Sequence, residues 1–225
     1  ILNREIFDYD LSVFAKNEGT EIYTKSYVKR PIIRNSQVKG VIVDIEGSER
    51  EMFSKIVIAA DGIESRIGRK AGIKTAVRMR DMESGIQYLV NNIIVKSDRM
   101  DMYVGSQIAP GGYLWIFPKN NSTANIGVAI SGKYSSKKSA KKYLDEFISR
   151  KFPDGNILSK TTGGIPVSKP IEKPIKDGLI LVGDAAHHIN PLTGGGIAPA
   201  MKGGLISGKV AYQSIISKDY TEKIL

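Results

Sequence analysis

The chain has 225 residues, 41% hydrophobic and 25% charged, an ordinary balance for a globular protein with a substantial core. It has no cysteine, which excludes disulfides, a thiol nucleophile and thiolate metal ligation, and no run of about 18 apolar residues that would span a membrane. Its formal net charge of +10 fits a lysine-rich solvated surface, or attraction to an anionic membrane or a phosphorylated substrate. The basic residues are dispersed and form no aromatic-studded module, which argues against nucleic acid as a partner.

In chain order, Asp8 is suited to cap a helix with Phe7, Leu11, Phe14 and Ala15 on its apolar face and Gly19 as its stop. Glu21 to Arg34, Val38 to Glu46 and Met52 to Ala60 read as strands, the first two an antiparallel meander that the third joins. The third ends in the apolar run Ile56 to Ala60 and then Asp61-Gly62. Ser65 suits an N-cap for a short helix that Gly72 stops. From Val77 to Pro170 the pattern changes. Gln87 to Lys96, Asp101 to Ser106, Gly112 to Pro118 and Ala124 to Ser131 read as an antiparallel sheet. A helix over Ser136 to Arg150 turns Tyr143, Leu144, Phe147 and Ile148 inward, and Lys137 and Lys138 oppose its dipole, so its first turn is expected to fray. Thr161 to Val167 is expected to carry the chain back toward the first region.

The stretch Leu179 to Gly204 is the richest in signals. A buried strand, Leu179 to Val182, runs into Gly183-Asp184, then a polar loop with Pro191 and the glycines Gly194, Gly195 and Gly196. A helix follows, with Ile197, Met201, Leu205, Gly208 and Tyr212 about one turn apart and Pro199 in its first turn. Strand, glycine-rich loop and helix N-terminus suit a polar or anionic cofactor, because backbone N–H groups approach closely and the dipole favours negative charge. Strand–Asp-Gly or Gly-Asp–helix occurs twice, at Asp61 and at Asp184. In open α/β sheets, ligands gather at such strand ends. The reading is an α/β (α+β) chain: part of a doubly wound cofactor-binding domain, residues 1–76 and 171–225, with an inserted antiparallel β-sheet substrate domain, residues 77–170.

Asp184 is placed to accept hydrogen bonds from ribose or ribityl hydroxyls. Adjacent His187 and His188, the only histidines, lack the i, i+4 spacing and the neighbouring carboxylates of a metal site, so no metal is expected. They read as loop residues packed near the cofactor. Tyr113, Trp115 and Phe117 alternate along one strand and share a face. They are either sheet core or the aromatic wall of an apolar substrate cavity. Lys119, at the strand's end, faces solvent or binds a negative group.

Ala60-Asp61-Gly62-Ile63-Glu64-Ser65 and Gly183-Asp184-Ala185-Ala186-His187 resemble the second and third flavin motifs of the glutathione-reductase-2 superfamily, which contains the p-hydroxybenzoate hydroxylase fold. Asn190-Pro191-Leu192-Thr193-Gly194-Gly195-Gly196-Ile197 and Pro110-Gly111-Gly112-Tyr113-Leu114-Trp115-Ile116-Phe117-Pro118-Lys119 are similar to motifs of the geranylgeranyl reductases, especially the archaeal digeranylgeranylglycerophospholipid type. Arg4 resembles the arginine that ends the family's N-terminal FAD segment. The resemblance implies FAD held by Arg4, Asp61, Gly62, Gly183, Asp184, Pro191, Gly194, Gly195, Gly196 and Ile197. It implies an isoprenoid lipid substrate against Tyr113, Trp115, Phe117 and Lys119, and no metal. The implied activity is saturation of geranylgeranyl C=C bonds by hydride from reduced flavin, with an electron donor, NAD(P)H or ferredoxin. An anionic membrane surface is a further partner, and the implied location is cytoplasmic, peripheral on the inner face of the cell membrane. No residue is assigned a catalytic role. A monooxygenase of the same fold and a non-catalytic lipid-binding fragment are the alternatives. The family's opening strand–G-x-G-x-x-G–helix unit is not in this sequence. The chain therefore reads as a fragment, expected to bind FAD weakly or not at all alone.

Overall fold

A computed structural model describes residues 2–225. The first helix, α1 (Arg4–Asn17), is capped by Asn3, whose side chain accepts the Glu5 N–H at 3.2 Å. Asp8 is not the cap: it lies one turn inside the helix, where it forms a two-pronged ion pair with Arg4. None of the α1 side chains is buried, and Leu11 and Phe14 are exposed.

Three strands, β1 (Ser26–Arg34), β2 (Gln37–Ile45) and β3 (Ser48–Phe53), form an antiparallel meander. The expected third strand is two. After Phe53 the chain leaves that sheet, and β4 (Val57–Ala59) enters another. The break falls at Ser54 and Lys55, two polar residues between the apolar runs. A short helix follows, α2 (Arg66–Lys70). Ser65 occupies its N-cap position but makes no side-chain cap bond. Asp61 caps instead, its Oδ2 accepting the Ile67 N–H at 2.9 Å, which satisfies one of the donors that a helix start leaves open.

The antiparallel sheet contains β5 (Met82–Asn91), β6 (Asp101–Gly105), β7 (Ala109–Pro118), β8 (Thr123–Ser131) and β9 (Asn156–Pro166), in the order β6-β7-β8-β5-β9. The segment expected to return the chain, Thr161 to Val167, falls mostly in its fifth strand, which pairs along β5 from Met82↔Pro166 to Asn91↔Asn156. Its polar, exposed residues suit an edge. Helix α3 (Ala140–Lys151) covers one face. Ser139 caps it, leaving Lys137 and Lys138 outside the helix rather than fraying its first turn. Leu144, Phe147 and Ile148 meet Ile86, Tyr88, Leu114, Ile116, Ile126 and Val128 in the main core, with Tyr143 packed at its margin. Period two leaves the alternate residues of β5, β7 and β8 on the other face.

A third sheet, ordered β10-β11-β4, joins the two ends of the chain through β10 (Ile175–Lys176) and β11 (Leu179–Leu181). Strand β11 runs parallel to β4. The expected polar loop after it begins as a 3-10 turn, Gly183–Ala186, and the last helix is α4 (Ile197–Ser217). A smaller core of Val38, Ala59, Ile67, Leu179 and Leu181 holds this region. No helix among the described residues is long and apolar enough to cross a membrane.

Leu144 is fully buried, whereas Ile94 is 94% exposed. Leu144→Ala is expected to cost about 2–5 kcal/mol and Ile94→Ala to stay within about 0.5 kcal/mol, as read from denaturant midpoints.

Candidate functional site

The site begins at two strand ends. Leu179, Ile180 and Leu181 pair in parallel with Val57, Ile58 and Ala59, so Asp61 and Gly183 leave the sheet at the same end, each two residues past the last pair. Gly183 has φ +61°, a left-handed conformation that favours glycine. It turns the chain into the 3-10 segment that presents Asp184. His187, buried behind it, locks the turn. Its Nε2 lies 3.2 Å from the Thr75 carbonyl and its Nδ1 2.9 Å from Ser168 Oγ. A carbonyl only accepts, so Nε2 carries the hydrogen and Nδ1 accepts from the Ser168 hydroxyl. Three segments are tied through one ring, which leaves His187 no lone pair for a metal. No metal-binding cluster occurs among the described residues.

Asp184 is half-buried and accepts no side-chain hydrogen bond among the described residues. Burial pushes its carboxyl above the usual carboxylate range, against the opposing pull of His187 and Arg4. Gly196, the N-cap of α4, stands directly beside it: a Cβ there would come within 3.2 Å of Asp184 Oδ1. The carboxyl therefore sits at the positive end of a 21-residue helix. No acceptor among the described residues takes the N–H of Gly196, Ile197 or Ala198. Pro199 has no N–H to leave unpaired.

The intervening loop is organised by Asn190. Its Oδ1 accepts the Leu192 N–H at 2.9 Å, and its carbonyl accepts from Thr193 and Gly194 at 3.3 and 2.9 Å. Its own N–H donates to the Gly195 carbonyl at 3.0 Å. Gly194 has φ +67°, and this turn requires it. The tip of the loop is then fastened to the antiparallel sheet by the Tyr113 hydroxyl, which donates to the Thr193 carbonyl at 2.6 Å.

Tyr113 belongs to the sheet face that α3 does not cover. On that face Tyr113, Trp115 and Phe117 form a row with ring centroids 5.6 and 6.0 Å apart. Their partners across β8 are Ala129, Gly127 and Asn125. Gly127 is what admits the indole, since a Cβ there would fall 2.2 Å from the Trp115 ring. The Trp115 Nε1–H donates to Gln87 Oε1 at 3.0 Å. Between this face and the loop lies an open cavity of about 550 Å³, walled by Met102, Val104, Pro110, Tyr113, Leu192 and Thr193. One carboxyl lines it, that of Glu83. Glu83 is buried, and that burial pushes its carboxyl above the usual range.

A model of the geranylgeranyl reductase catalytic domain matches residues 81–165. Digeranylgeranylglycerophospholipid reductase 1 of Methanococcoides burtonii is 42% identical over all 225 residues, which cover 55% of that relative. A geranylgeranyl bacteriochlorophyll reductase-like protein from Thermoplasma acidophilum has a solved structure that superposes with TM-score 0.93 at 38% identity, covering 98% of this chain and 56% of that one. Along its whole length the chain is thus similar to geranylgeranyl reductases. It spans little more than half the length of the curated relatives it matches. A flavin-dependent brominase, Bmp2, shares the fold at TM-score 0.81 and 20% identity, covering 97% of this chain and 57% of that one.

The structure brings together only part of the residue set expected from sequence. Gly183 and Asp184, from the 3-10 turn, meet Gly196 at the head of α4, with Gly194 and Gly195 just before it and Ile197 opening the helix, and Arg4 is close enough to act on the Asp184 charge. Pro191 lines the cavity instead. Asp61 has one carboxylate oxygen committed to α2, and Gly62, at φ +72°, makes the bend before it. Of the four residues expected against substrate, Tyr113 lines the cavity. Trp115 and Phe117 continue the row away from it, because each step of two along β7 moves further from the loop. The Lys119 ammonium donates to the Leu2 carbonyl at 3.0 Å, just before α1. Two residues escaped the sequence reading of the site. Asn190 carries a detectable signal, an Asx turn ahead of a glycine run. Glu83 carries none, since a lone Glu early in a strand reads as solvent-facing.

Tyr113→Phe removes the tie to the loop and is expected to cost about 0.5–1.5 kcal/mol. Hydrogen exchange should quicken at the amides of residues 190–196 while those of β8 stay protected. Glu83 holds a proton in the folded chain at pH values where the unfolded chain has lost it. Stability should therefore fall as pH rises from the ordinary Glu value, about 4.3, through the raised folded value. Denaturant melts across pH should show this slope in the parent and a flatter one in Glu83→Gln.

Proposed function

We propose that this chain forms the flavin-side and substrate-side part of an FAD-dependent reductase that saturates C=C bonds of geranylgeranyl chains in isoprenoid ether lipids. One observation carries the reading. The loop walling the apolar cavity runs without interruption into the α4 N-terminus, beside a half-buried carboxyl that lacks a donor. A site for an elongated apolar substrate and a site for a hydroxyl-rich, partly anionic cofactor thus share one loop. The names of the relatives supply the substrate class.

The residues fit FAD. Asp184 needs hydrogen-bond donors, and ribityl hydroxyls are donors. The N–H groups of Gly196, Ile197 and Ala198 need acceptors and stand at a dipole that favours negative charge. Arg4, Asp61 and Gly62 complete the cofactor side in this reading. When bound and reduced, FAD supplies the hydride. Asn190 holds the loop in shape without drawing on those three N–H groups. Met102, Val104, Pro110 and Leu192 offer the prenyl chain an apolar wall from which water is excluded as it docks. Tyr113 fixes the spacing between that wall and the loop. The electron donor that reloads the flavin is NAD(P)H or ferredoxin. The net charge of +10 supports a peripheral position on an anionic membrane surface, at the cytoplasmic face, where such lipids reside.

In the complete protein, Asp184→Ala should weaken FAD retention, measured as flavin absorbance after gel filtration. Flavin held as tightly as in the parent would refute the Asp184 assignment. Mass spectrometry of the product should show two hydrogens gained per reduced bond. A gain of oxygen or of halogen would replace the reductase with another flavin chemistry.

A further inference from the structure

Saturating a C=C bond takes a hydride and a proton, and the proposed function identifies the source of the hydride alone. We infer that Glu83 is the acid that supplies the proton: it is the one carboxyl lining the cavity, on the same sheet face as Tyr113, within reach of a chain lying against the Pro191–Thr193 loop. The inference rests on the reductase reading above.

The placement follows from register. Glu83 pairs with Ser131 of β8 and Ile165 of β9, so it lies on a central strand and not at an edge. Odd-numbered residues of β5 point away from α3, as Gln87 shows by its bond to Trp115 and as Ile86, Tyr88 and Val90 show by filling the α3 core. Gly112 brings the backbone of β7 against the carboxyl: a Cβ there would come within 3.2 Å of Glu83 Oε1 and 2.2 Å of the Ala129 carbonyl. Glu83 has no ion-pair partner among the described residues, and no lysine, arginine or histidine lines the cavity. The other titratable side chains there are Tyr113 and Tyr134. Burial also pushes the Tyr113 hydroxyl up, with the Glu83 charge adding to it. A carboxyl with apolar walls, phenol neighbours and no cation keeps its proton above the pH at which a solvated Glu ionises. A structural carboxylate would be paired or hydrogen-bonded, and this one is neither.

The step balances. One alkene carbon receives the hydride that the reduced flavin supplies. Its neighbour receives the Glu83 proton, bonded by the former π pair. The lipid gains two hydrogens, the flavin loses two electrons, and Glu83 is left as a carboxylate. Water at the open mouth of the cavity returns its proton.

In the complete FAD-loaded protein, Glu83→Gln should lower kcat for prenyl saturation at least about 100-fold, with KM, flavin content and flavin reduction by the donor unchanged. Glu83→Asp should recover an intermediate rate. The parent rate should fall as pH rises through the raised Glu83 value, and the residual Glu83→Gln rate should lack that limb. A readout independent of turnover is the protonated carboxyl C=O band in infrared difference spectra. It should persist above the ordinary Glu range and vanish in Glu83→Gln. A Glu83→Gln protein that matches a prenyl-saturating parent would overturn the role of Glu83 alone, as would absence of the infrared band. A flavin-loaded parent that leaves the prenyl chain unsaturated would overturn the reductase reading and this inference together.

Discussion

The structure depends on the alternation of one antiparallel sheet. Each strand of β5, β7 and β8 divides its side chains between two faces, and the faces have incompatible requirements. The even-numbered residues Ile86, Leu114, Ile116, Ile126 and Val128 must be apolar and interlocked, since α3 seals them from water. The odd-numbered face carries Glu83, Gln87, Tyr113 and Trp115, and it keeps polar atoms and open volume. The packed face holds the open one in place. Slipping β5 by one residue would turn Glu83 under α3 and expose Ile86, Tyr88 and Val90. The aromatic row also depends on small residues opposite it, most tightly at Gly127 beneath Trp115. A cavity wall that is also the back of a core can be shaped without paying for a second core.

The turn at the head of α4 obeys a different constraint. Three residues of parallel pairing between β4 and β11 bring together segments more than a hundred positions apart. So short a sheet cannot set a precise geometry by itself, and side chains finish the work. His187 ties its turn to residues 75 and 168, Asn190 closes the loop, and Tyr113 joins the loop to the antiparallel sheet. A single 2.6 Å hydrogen bond thus links the loop before α4 to the sheet face that lines the cavity.

Much of this was legible in the sequence wherever periodicity and local chemistry agreed. Tyr113, Trp115 and Phe117 share a face because strand geometry leaves no alternative. Gly183-Asp184 after four apolar residues announces a strand end, and the inward face of α3 follows from its helical spacing. The failures have a common cause: long-range pairing decided what local pattern could not. Met52 to Ala60 looks like one apolar strand, yet its halves serve different sheets. Thr161 to Val167 looks like a connection, yet Thr161 to Pro166 pair with β5 from Gln87 back to Met82. Asp61 reads as a ligand residue, and its nearest partner is the start of α2. Glu83 is buried only because Gly112, Ser131 and Ile165 surround it, and none of those positions is near it in sequence.

The two raised carboxyls show how one physical cause serves two purposes. Asp184 and Glu83 are both pushed up mainly by burial. Asp184 also has His187 and Arg4 pulling its charge back toward the ionised form, and it lies at a helix N-terminus where an anion is favoured. Donors arriving there would stabilise its charge further, so it is suited to be an acceptor. Glu83 has none of these compensations. Its titratable neighbours in the cavity are phenols, one of which, Tyr113, is itself harder to ionise beside it. A proton on Glu83 thus avoids the cost of a charge in that wall, and it is kept to a higher pH than on a solvated Glu. Under the proposed function, the same sheet-and-loop frame separates an acceptor for the cofactor from a donor for the substrate.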